Sequence, residues 1–300
     1  MIYSIENEFL YVSVDTAGAQ LASIRSKKTG VEYLWQGDKT YWGGRAYNLF
    51  PFIGRMTGGV YTYQGNTYTI RPHGLARYYE FSLHEQCQTQ MTFLLSDESS
   101  EDMLSQYPFR FSFFVTFSLQ ENKLLVNYKV LNKETDKELI CTLGGHPGIN
   151  VPFDGGKFED YCVEFEHATP IMQHLLSENK FMSGNSIPYP LEDGTRLPLQ
   201  HSLFDNDALI FTGTCGTVSI KKNATGTHSN APYVKMHYDG FKYFALWQAT
   251  NTDAPFLCLE PWQSVCSTEG IIDNLETKAD MLHIPPCGES HATFSLEIGE

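Results

Sequence analysis

Basic residues are scarce in this chain of 300 residues. It contains 21 Lys and Arg against 35 Asp and Glu, which gives a formal net charge of −14. Proteins that bind nucleic acid present a surface rich in Lys and Arg to the phosphate backbone. The charge balance therefore argues against nucleic acid as a partner.

Long apolar runs are missing as well. No run approaches the roughly 18 residues that are needed to cross a bilayer, so no membrane partner is expected. The first ten residues, MIYSIENEFL, carry Glu6 and Glu8 and lack the basic and apolar regions of a signal peptide. The sequence therefore predicts a cytoplasmic protein.

Metal-binding and cofactor-binding motifs are also absent. The seven cysteines form no CxxC pair, and the ten histidines form no HxH motif. An odd cysteine count without close pairs argues against a disulfide framework and against a zinc site. Because no GxGxxG or Walker pattern occurs either, we expect no metal and no nucleotide cofactor.

Aromatic residues are abundant, at 14% of the chain, while charged residues reach only 19%. Short runs of alternating apolar and polar residues recur between Gly, Asn, Asp and Pro, which is typical of strands. Many strands at roughly 8–12-residue spacing predict an all-β fold, a large antiparallel β-sandwich. No linker or charge run marks a boundary, so we expect a single domain over residues 1–300.

The strand predictions cover most of the chain, and helical periodicity is confined to residues 102–107 and 274–278. The predicted strands are residues 9–14, 20–26, 60–63, 67–70, 81–85, 90–96, 110–119, 123–132, 139–143, 161–165, 208–211, 218–221, 233–238, 243–247, 256–260 and 292–298.

A carboxylate interrupts the apolar segment APFLCLEPW. Glu260 follows a run typical of a buried strand, and Pro261 pushes the residue before it toward extended geometry. We expect a core strand whose last residue is this glutamate. An acidic residue there is costly unless it has partners or a chemical role, so Glu260 is a candidate catalytic residue.

Two histidines lie in motifs rich in Gly and Pro. His73, in RPHGLAR, either caps a turn or contacts a ligand. His146, in LGGHPGIN, is surrounded by small or rigid residues. This pattern is found where a ligand approaches the backbone closely, and also in solvated turns. Because imidazole titrates near neutral pH, His146 is the candidate proton donor.

Arginines and aspartates supply further polar candidates. Arg55 ends NLFPFIGR and can donate a forked pair of hydrogen bonds, or lie on the surface. Arg77 is either a surface charge or a contact to an anionic part of a ligand. Asp205 and Asp207, in LFDNDALIF, are consistent both with a turn and with a carboxylate that binds hydroxyl groups.

Taken in chain order, the motifs around Arg55, His73, His146, Asp207 and Glu260 resemble the aldose 1-epimerase (galactose mutarotase-like) superfamily, most closely its LacX-like branch. The resemblance covers most of the chain. It implies a large antiparallel β-sandwich of the supersandwich kind. It also implies a cofactor-independent isomerase that interconverts the α and β anomers of a hexose. We expect the protein to be a monomer or homodimer.

The resemblance also implies roles for individual residues. Glu260 matches the general base and His146 the general acid of the family. His73 matches the second active-site histidine, and Arg55 matches the arginine that lines the sugar site. The aromatic residues near Arg55 either suit the faces of a sugar ring or fill the core: Trp35, Trp42, Tyr47 and Phe50.

Some features of the family pattern leave the substrate open. An aspartate of the family holds sugar hydroxyls, and this chain offers Asp207, with Asp205 as the alternative. Galactose-specific members carry HGG-type, HPYFN and EPQ segments where this chain has HGLAR, HPGIN and EPW. HGLAR is similar to hexose-6-phosphate mutarotases, whose arginines hold phosphate, which makes Arg77 a candidate substrate-binding residue.

Other functions remain open at this stage. The same residues would suit a non-catalytic carbohydrate-binding module, in which the acid and base are misaligned. A glycoside hydrolase would pair Glu260 with an aspartate, at about 5–5.5 or 6.5–9.5 Å, but would leave the two histidines unexplained. Mutarotation needs one proton removed from the anomeric hydroxyl and one delivered to the ring oxygen, which an acid–base pair can do.

Overall fold

Strands form most of the regular structure in the computed structural model, which describes residues 1–167, 170–223 and 231–300. The strands are β1 (Ile2–Glu6), β2 (Leu10–Asp15), β3 (Gln20–Ser26), β4 (Ala46–Leu49), β5 (Val60–Tyr63), β6 (Asn66–Thr69), β7 (Ser82–Gln86), β8 (Gln90–Ser96), β9 (Phe111–Gln120), β10 (Lys123–Asn132), β11 (Leu139–Cys141), β12 (Gly144–Asn150), β13 (Tyr161–Phe165), β14 (Met172–Leu176), β15 (Met182–Pro188), β16 (Arg196–Pro198), β17 (Leu209–Thr212), β18 (Thr217–Lys222), β19 (Tyr233–His237), β20 (Tyr243–Trp247), β21 (Phe256–Trp262), β22 (Leu282–Ile284) and β23 (Glu289–Gly299).

Helices are short in the described residues. The α-helix α1 (Met103–Gln106) confirms the helical turn predicted at residues 102–107. The helix predicted at 274–278 is wrong, because this segment forms turns. It makes one helical bond, from the Lys278 N–H to the Asn274 carbonyl, and does not continue as a helix; the Leu275 N–H donates to the Thr62 carbonyl of β5. The 3₁₀ segments are Thr57–Gly59, Ala76–Tyr78, Phe158–Asp160 and His201–Phe204.

Two large antiparallel sheets carry the fold. The nine-stranded sheet has the order β16-β13-β18-β19-β23-β10-β9-β8-β7, and the seven-stranded sheet has the order β15-β14-β17-β20-β21-β12-β4. Their inner faces share one hydrophobic core. Phe50, just after β4, stacks on Phe113 of β9 with ring centres 4.7 Å apart. The predicted antiparallel sandwich is confirmed.

The central strands β12, β20 and β21 of the seven-stranded sheet are buried on both faces, and this positions the site. Along β21, Leu257 and Leu259 point into the main core. Cys258 and Trp262 alternate with them and belong to smaller clusters on the opposite face, the face on which Glu260 also lies. A polar site can therefore be built on the outer face of a sheet whose inner face packs in the main core.

Strand β21 does not end at Glu260, as the sequence predicts, but continues to Trp262. The pairing of β12 with β21 is regular at Gly144–Trp262 and again from Gly148–Cys258 onward, and it lapses in between. Pro147 and Pro261 lie in this gap, and a proline has no N–H to give to a ladder.

In the described residues, no helix has the length and apolar character of a membrane span.

Candidate active site

A cavity of about 490 Å³ opens on the outward face of the seven-stranded sheet. This volume lies within the range of small-molecule sites, roughly 300–1,000 Å³. Residues from β4, β12, β20 and β21 contribute to its wall, together with the loops that precede β5, β7, β15 and β17. The sequence-predicted residues that line it are Arg55, His73, Arg77, His146, Asp207 and Glu260.

The floor of the cavity holds His146 and Glu260 in contact. Extending the pairing of β12 with β21 from either side of the gap puts the two residues opposite each other on neighbouring strands. His146 Nε2 lies 3.2 Å from Glu260 Oε2, and the side chains are 8% and 1% exposed. Their contact is fixed by two core strands, so the pair is pre-positioned before any ligand binds.

Burial decides the protonation of this pair. It raises the pKa of the Glu260 carboxyl well above its usual range, and the Asp207 carboxylate raises that pKa further. Burial also lowers the pKa of His146 well below its usual range, with His73 and Arg77 adding to the effect. An uncharged pair, with the mobile proton on Glu260, is therefore favoured in the empty cavity.

His73 is held by the segment that carries Arg55. Its backbone N–H donates to the Gly54 carbonyl at 2.7 Å, and the Gly54 N–H donates to His73 Nδ1 at 3.2 Å. Burial lowers the pKa of His73 to about 3, with contributions from Arg77 and Arg55. Since Nδ1 accepts, the neutral ring carries its proton on Nε2, where it is a hydrogen-bond donor.

Three cationic side chains line the cavity: Arg55, Arg77 and Lys180. The Arg77 guanidinium carbon lies 3.8 Å from the centre of the Tyr47 ring and 4.9 Å from that of Tyr78. Stacking leaves the guanidinium N–H groups free at its edge. Within the described chain, none of the three cations pairs with a carboxylate.

Lys180 was not predicted from the sequence. It lies in the turn between β14 and β15, with a φ of 66°. The Met182 N–H donates to the Ser267 carbonyl, and the Ser267 N–H donates to the Arg55 carbonyl. This chain of backbone bonds brings the Lys180 turn beside Arg55, and no local sequence signal reveals a contact between such distant segments.

The two aspartates are separated by the structure. Asp207 lines the cavity, has a φ of 83° and accepts the Ala208 N–H at 2.9 Å. Asp205 is exposed and lies outside the cavity wall. The geometry thus favours Asp207 as a ligand-facing carboxylate, and the role itself stays a prediction.

Aromatic rings surround His146. The Trp42 ring stacks on the imidazole with centres 4.9 Å apart, and the Trp247 ring meets it edge-on at 5.5 Å. Trp42 and Tyr47 line the cavity, as do Trp247 and Trp262, which the sequence analysis missed. The other two aromatic candidates, Trp35 and Phe50, are buried in packing clusters.

One group of described residues has the composition of a metal-ligand set. Potential ligand atoms of His146, Cys258 and Glu260 lie within 4.8 Å of one another. Zinc needs its ligands at about 2.0–2.3 Å, which calls for closer convergence than this. Burial also raises the pKa of the Cys258 thiol well above its usual range, which opposes a thiolate ligand. We assign no metal site here.

Comparison with known proteins decides the family. The sequence model described as aldose 1-epimerase matches residues 1–273. The chain belongs to the aldose 1-epimerase family. Two LacX proteins of Lactococcus lactis subsp. lactis, plasmid and chromosomal, are 32% and 31% identical to it, each over 99% of both chains. The resemblance to the LacX-like branch is therefore confirmed.

Solved structures of aldose 1-epimerase relatives have the same fold. A galactose mutarotase related enzyme from Lactobacillus acidophilus matches with a TM-score of 0.92 and 31% identity, covering 100% of this chain and 98% of the other. A galactose mutarotase-like protein from Lactobacillus casei matches with a TM-score of 0.90 and 28% identity, covering 99% and 100%. The chain is thus a member of a family of sugar-processing isomerases with a galactose mutarotase-like fold.

Proposed function

We propose that this protein is a cofactor-independent mutarotase that interconverts the α and β anomers of a hexose. The observation that carries the proposal is the buried His146–Glu260 contact of 3.2 Å at the floor of a sugar-sized cavity. Family membership supports an isomerase of this kind. The substrate is a polar ring that fits between aromatic walls and a few directed polar groups.

In the proposed mechanism, the pair acts in its ion-pair form, in which Glu260 is the base and His146 the acid. Glu260 takes the proton of the anomeric hydroxyl while His146 delivers a proton to the ring oxygen, and the bond between C1 and the ring oxygen breaks. The open aldehyde rotates about C1–C2 and closes on its other face as the two protons return. The His146–Glu260 pair holds one mobile proton throughout, so its two sites titrate as a unit.

The other wall residues position the sugar. The neutral His73 offers a donor at Nε2, and Arg55 offers several N–H groups for hydroxyl oxygens. Asp207 accepts hydrogen bonds from hydroxyl groups. Trp42 and Trp247, which already contact the His146 ring, present apolar surface to the C–H faces of the ring.

Anomer exchange measured by NMR, on freshly dissolved α-glucose and α-galactose, tests the mechanism. Glu260→Gln keeps the shape of the side chain but cannot accept the proton, so we expect exchange to fall by about 10²-fold or more. His146→Asn should lose most of the rate. Both variants should still bind the sugar in saturation-transfer spectra.

Two aspartate variants provide a matched control. Asp207→Asn should weaken sugar binding. Asp205→Asn makes the same chemical change at a residue outside the cavity and should leave sugar binding unchanged. Near-normal exchange in a folded Glu260→Gln protein would remove this residue from the mechanism. If the wild-type protein binds sugars without accelerating exchange, it is a carbohydrate-binding module instead.

A second candidate is a mutarotase for hexose 6-phosphates. The observation that favours it is the presence of Arg55, Arg77 and Lys180 on the cavity wall without carboxylate partners in the described chain. Arginine can bind phosphate through two parallel hydrogen bonds, and lysine binds it as a point charge. The overall charge of −14 opposes an anionic substrate at long range, so we place the neutral hexose first.

A further inference from the structure

Two buried polar atoms in the cavity wall make no hydrogen bond within the described residues. They are Nε1 of Trp262 and Oε2 of Glu260, and the 3.2 Å contact of this oxygen with Nε2 of His146 lacks hydrogen-bond geometry. Both side chains are nearly inaccessible, at 5% and 1% exposure. An indole N–H can only donate and a carboxylate oxygen can only accept, so the two atoms are complementary. Leaving both unpaired in a buried place is costly.

The local fold places the two side chains side by side. They are two residues apart on β21, and residues at this spacing point to the same face of a strand. The opposite position on β12 is Gly144, where a Cβ atom would lie 3.0 Å from Cδ1 of Trp262. The indole therefore packs into a space that only glycine leaves open, on the same wall as the carboxylate.

No fixed positive charge contacts Glu260 in the described residues. The titratable groups that face it are His146 from β12, Asp207 from the segment before β17 and Cys258 from its own strand, while β20 presents Ala245. Asp207 opposes ionisation of Glu260, and the pKa of Cys258 is raised by burial. The Trp262 side chain is the group that lowers the pKa of Glu260.

We propose that, in the catalytically active form of the pair, the indole N–H of Trp262 donates to the Glu260 carboxylate and so shifts the mobile proton toward His146. His146 gives its proton away in each cycle, whereas an indole N–H keeps its proton throughout. Trp262 thus acts as a positioning residue that makes the carboxylate form, and with it the imidazolium form, available for catalysis. The inference rests on the proposed function of the pair.

Trp262→Phe removes the donor and keeps an aromatic ring. A hydrogen bond to a charged group corresponds to about one to two pH units. In this variant we expect the acidic limb of the pH dependence of kcat to shift to higher pH by about one unit. The rate at neutral pH should fall about tenfold, with partial recovery at higher pH. Trp262→Gln, which restores a side-chain donor, should return the limb toward its wild-type position.

Trp247→Phe is the matched control, since it removes another indole N–H from the same cavity wall. It can change KM for the sugar, but it should leave the acidic limb in place. Equal limb positions in Trp262→Phe and wild type would overturn the inference. So would an upward shift of the same size in Trp247→Phe, which would mark a general effect of losing a tryptophan.

A direct titration keeps this inference separate from the mutarotase proposal. The carboxyl ¹³C signal of Glu260 in glutamate-labelled protein, assigned by its loss in Glu260→Gln, reports protonation without any substrate. It should titrate at higher pH in Trp262→Phe than in wild type, even if no sugar is turned over. An unchanged signal would overturn the role of Trp262 and leave the mutarotase proposal standing.

Discussion

At the scale of single residues, His73 links the site to the stability of the fold. Its pKa is about 3 in the folded protein and about 6.5 in an unfolded chain. Between these values the unfolded chain binds more protons, so stability falls as the pH drops from about 6.5 toward 3. The slope contributed by one such histidine is at most about 1.4 kcal/mol per pH unit.

We therefore expect His73→Asn to make the protein less sensitive to acid. Asparagine tolerates the φ of 66° at this position, and its side-chain oxygen can accept the Gly54 N–H in place of Nδ1. Urea unfolding at pH 7 should give the variant and the wild type similar free energies of unfolding. Between pH 6 and 4, the number of protons taken up on unfolding should be lower in the variant by up to one. Identical slopes in both proteins would contradict burial of a neutral His73.

Most of the residues singled out from the sequence lie on one cavity wall, and their roles stay predictions. They were found because each lies in a short motif of unusual chemistry, such as the charged Glu260 in an apolar strand. Lys180 and Trp262 were missed for different reasons. Lys180 reaches the cavity through backbone bonds between distant loops, and Trp262 has the appearance of an ordinary core residue in the sequence.

At the scale of secondary-structure elements, β12 is the part of the site most dependent on glycine. Gly145 faces the nine-stranded sheet, and a Cβ atom there would lie 2.7 Å from Cε1 of Phe294 on β23. Such a distance forces the two sheets apart or the ring out of place. The absence of a side chain at Gly145 is thus what lets β12 pack closely against β23.

We expect Gly145→Ala to lower the free energy of unfolding by about 1–3 kcal/mol through overpacking. Gly43→Ala is the control, because its added methyl group meets only the flexible side chain of Lys39, at 3.3 Å, and should change stability by less than about 0.5 kcal/mol. Urea unfolding at pH 7 measures both. A Gly145→Ala protein as stable as the control would show that the two sheets can separate slightly at no cost.

The sequence predicted elements well where alternation is regular and poorly where Gly and Pro replace it. Strands β9 and β10 were predicted within a residue, because apolar residues alternate along their whole length. Strand β12, GGHPGIN, has no such alternation, and no strand was predicted for it. Its extended form is imposed by pairing with β4 on one side and β21 on the other, which is tertiary information.

At the scale of the whole molecule, the charge of the chain and the charge of the cavity have opposite signs. The protein carries −14, while Arg55, Arg77 and Lys180 line the cavity without carboxylate partners in the described chain. The overall field repels an anionic substrate at a distance, and the three cations attract it once it has entered. Ionic strength separates the two effects, because exposed charges more than about 10 Å apart are screened at 0.1 M salt.

We expect Lys180→Ala to lower kcat/KM for glucose 6-phosphate by about tenfold, because one charge-assisted contact is lost. The kcat/KM for glucose should change by less than about twofold. Lys28→Ala, which removes an exposed cation away from the cavity, should alter neither. Anomer exchange at low and moderate salt measures the two substrates. An equal loss for both would make Lys180 structural, and a phosphate that never improves efficiency would leave the neutral hexose as substrate.

The sandwich was predictable from the number and spacing of strands, but its strand order was not. The nine-stranded sheet places β23 between β10 and β19, and these neighbours are separated from it by long stretches of sequence. Periodicity along the chain carries no information about such distant partners. The match to the aldose 1-epimerase family model ends at residue 273, so this central strand lies beyond it.

The position of β23 has a consequence for synthesis on the ribosome. Strands β10 and β19 are made well before the strand that joins them, and each presents an open edge until then. Open edges with apolar faces are sites of misassociation. The nascent chain can pair β7 to β10 early, but it cannot close the larger sheet until residues 289–299 have emerged. The larger sheet therefore closes later than its neighbouring strands are made, and until then the open edges of β10 and β19 are the surfaces that a chaperone would cover.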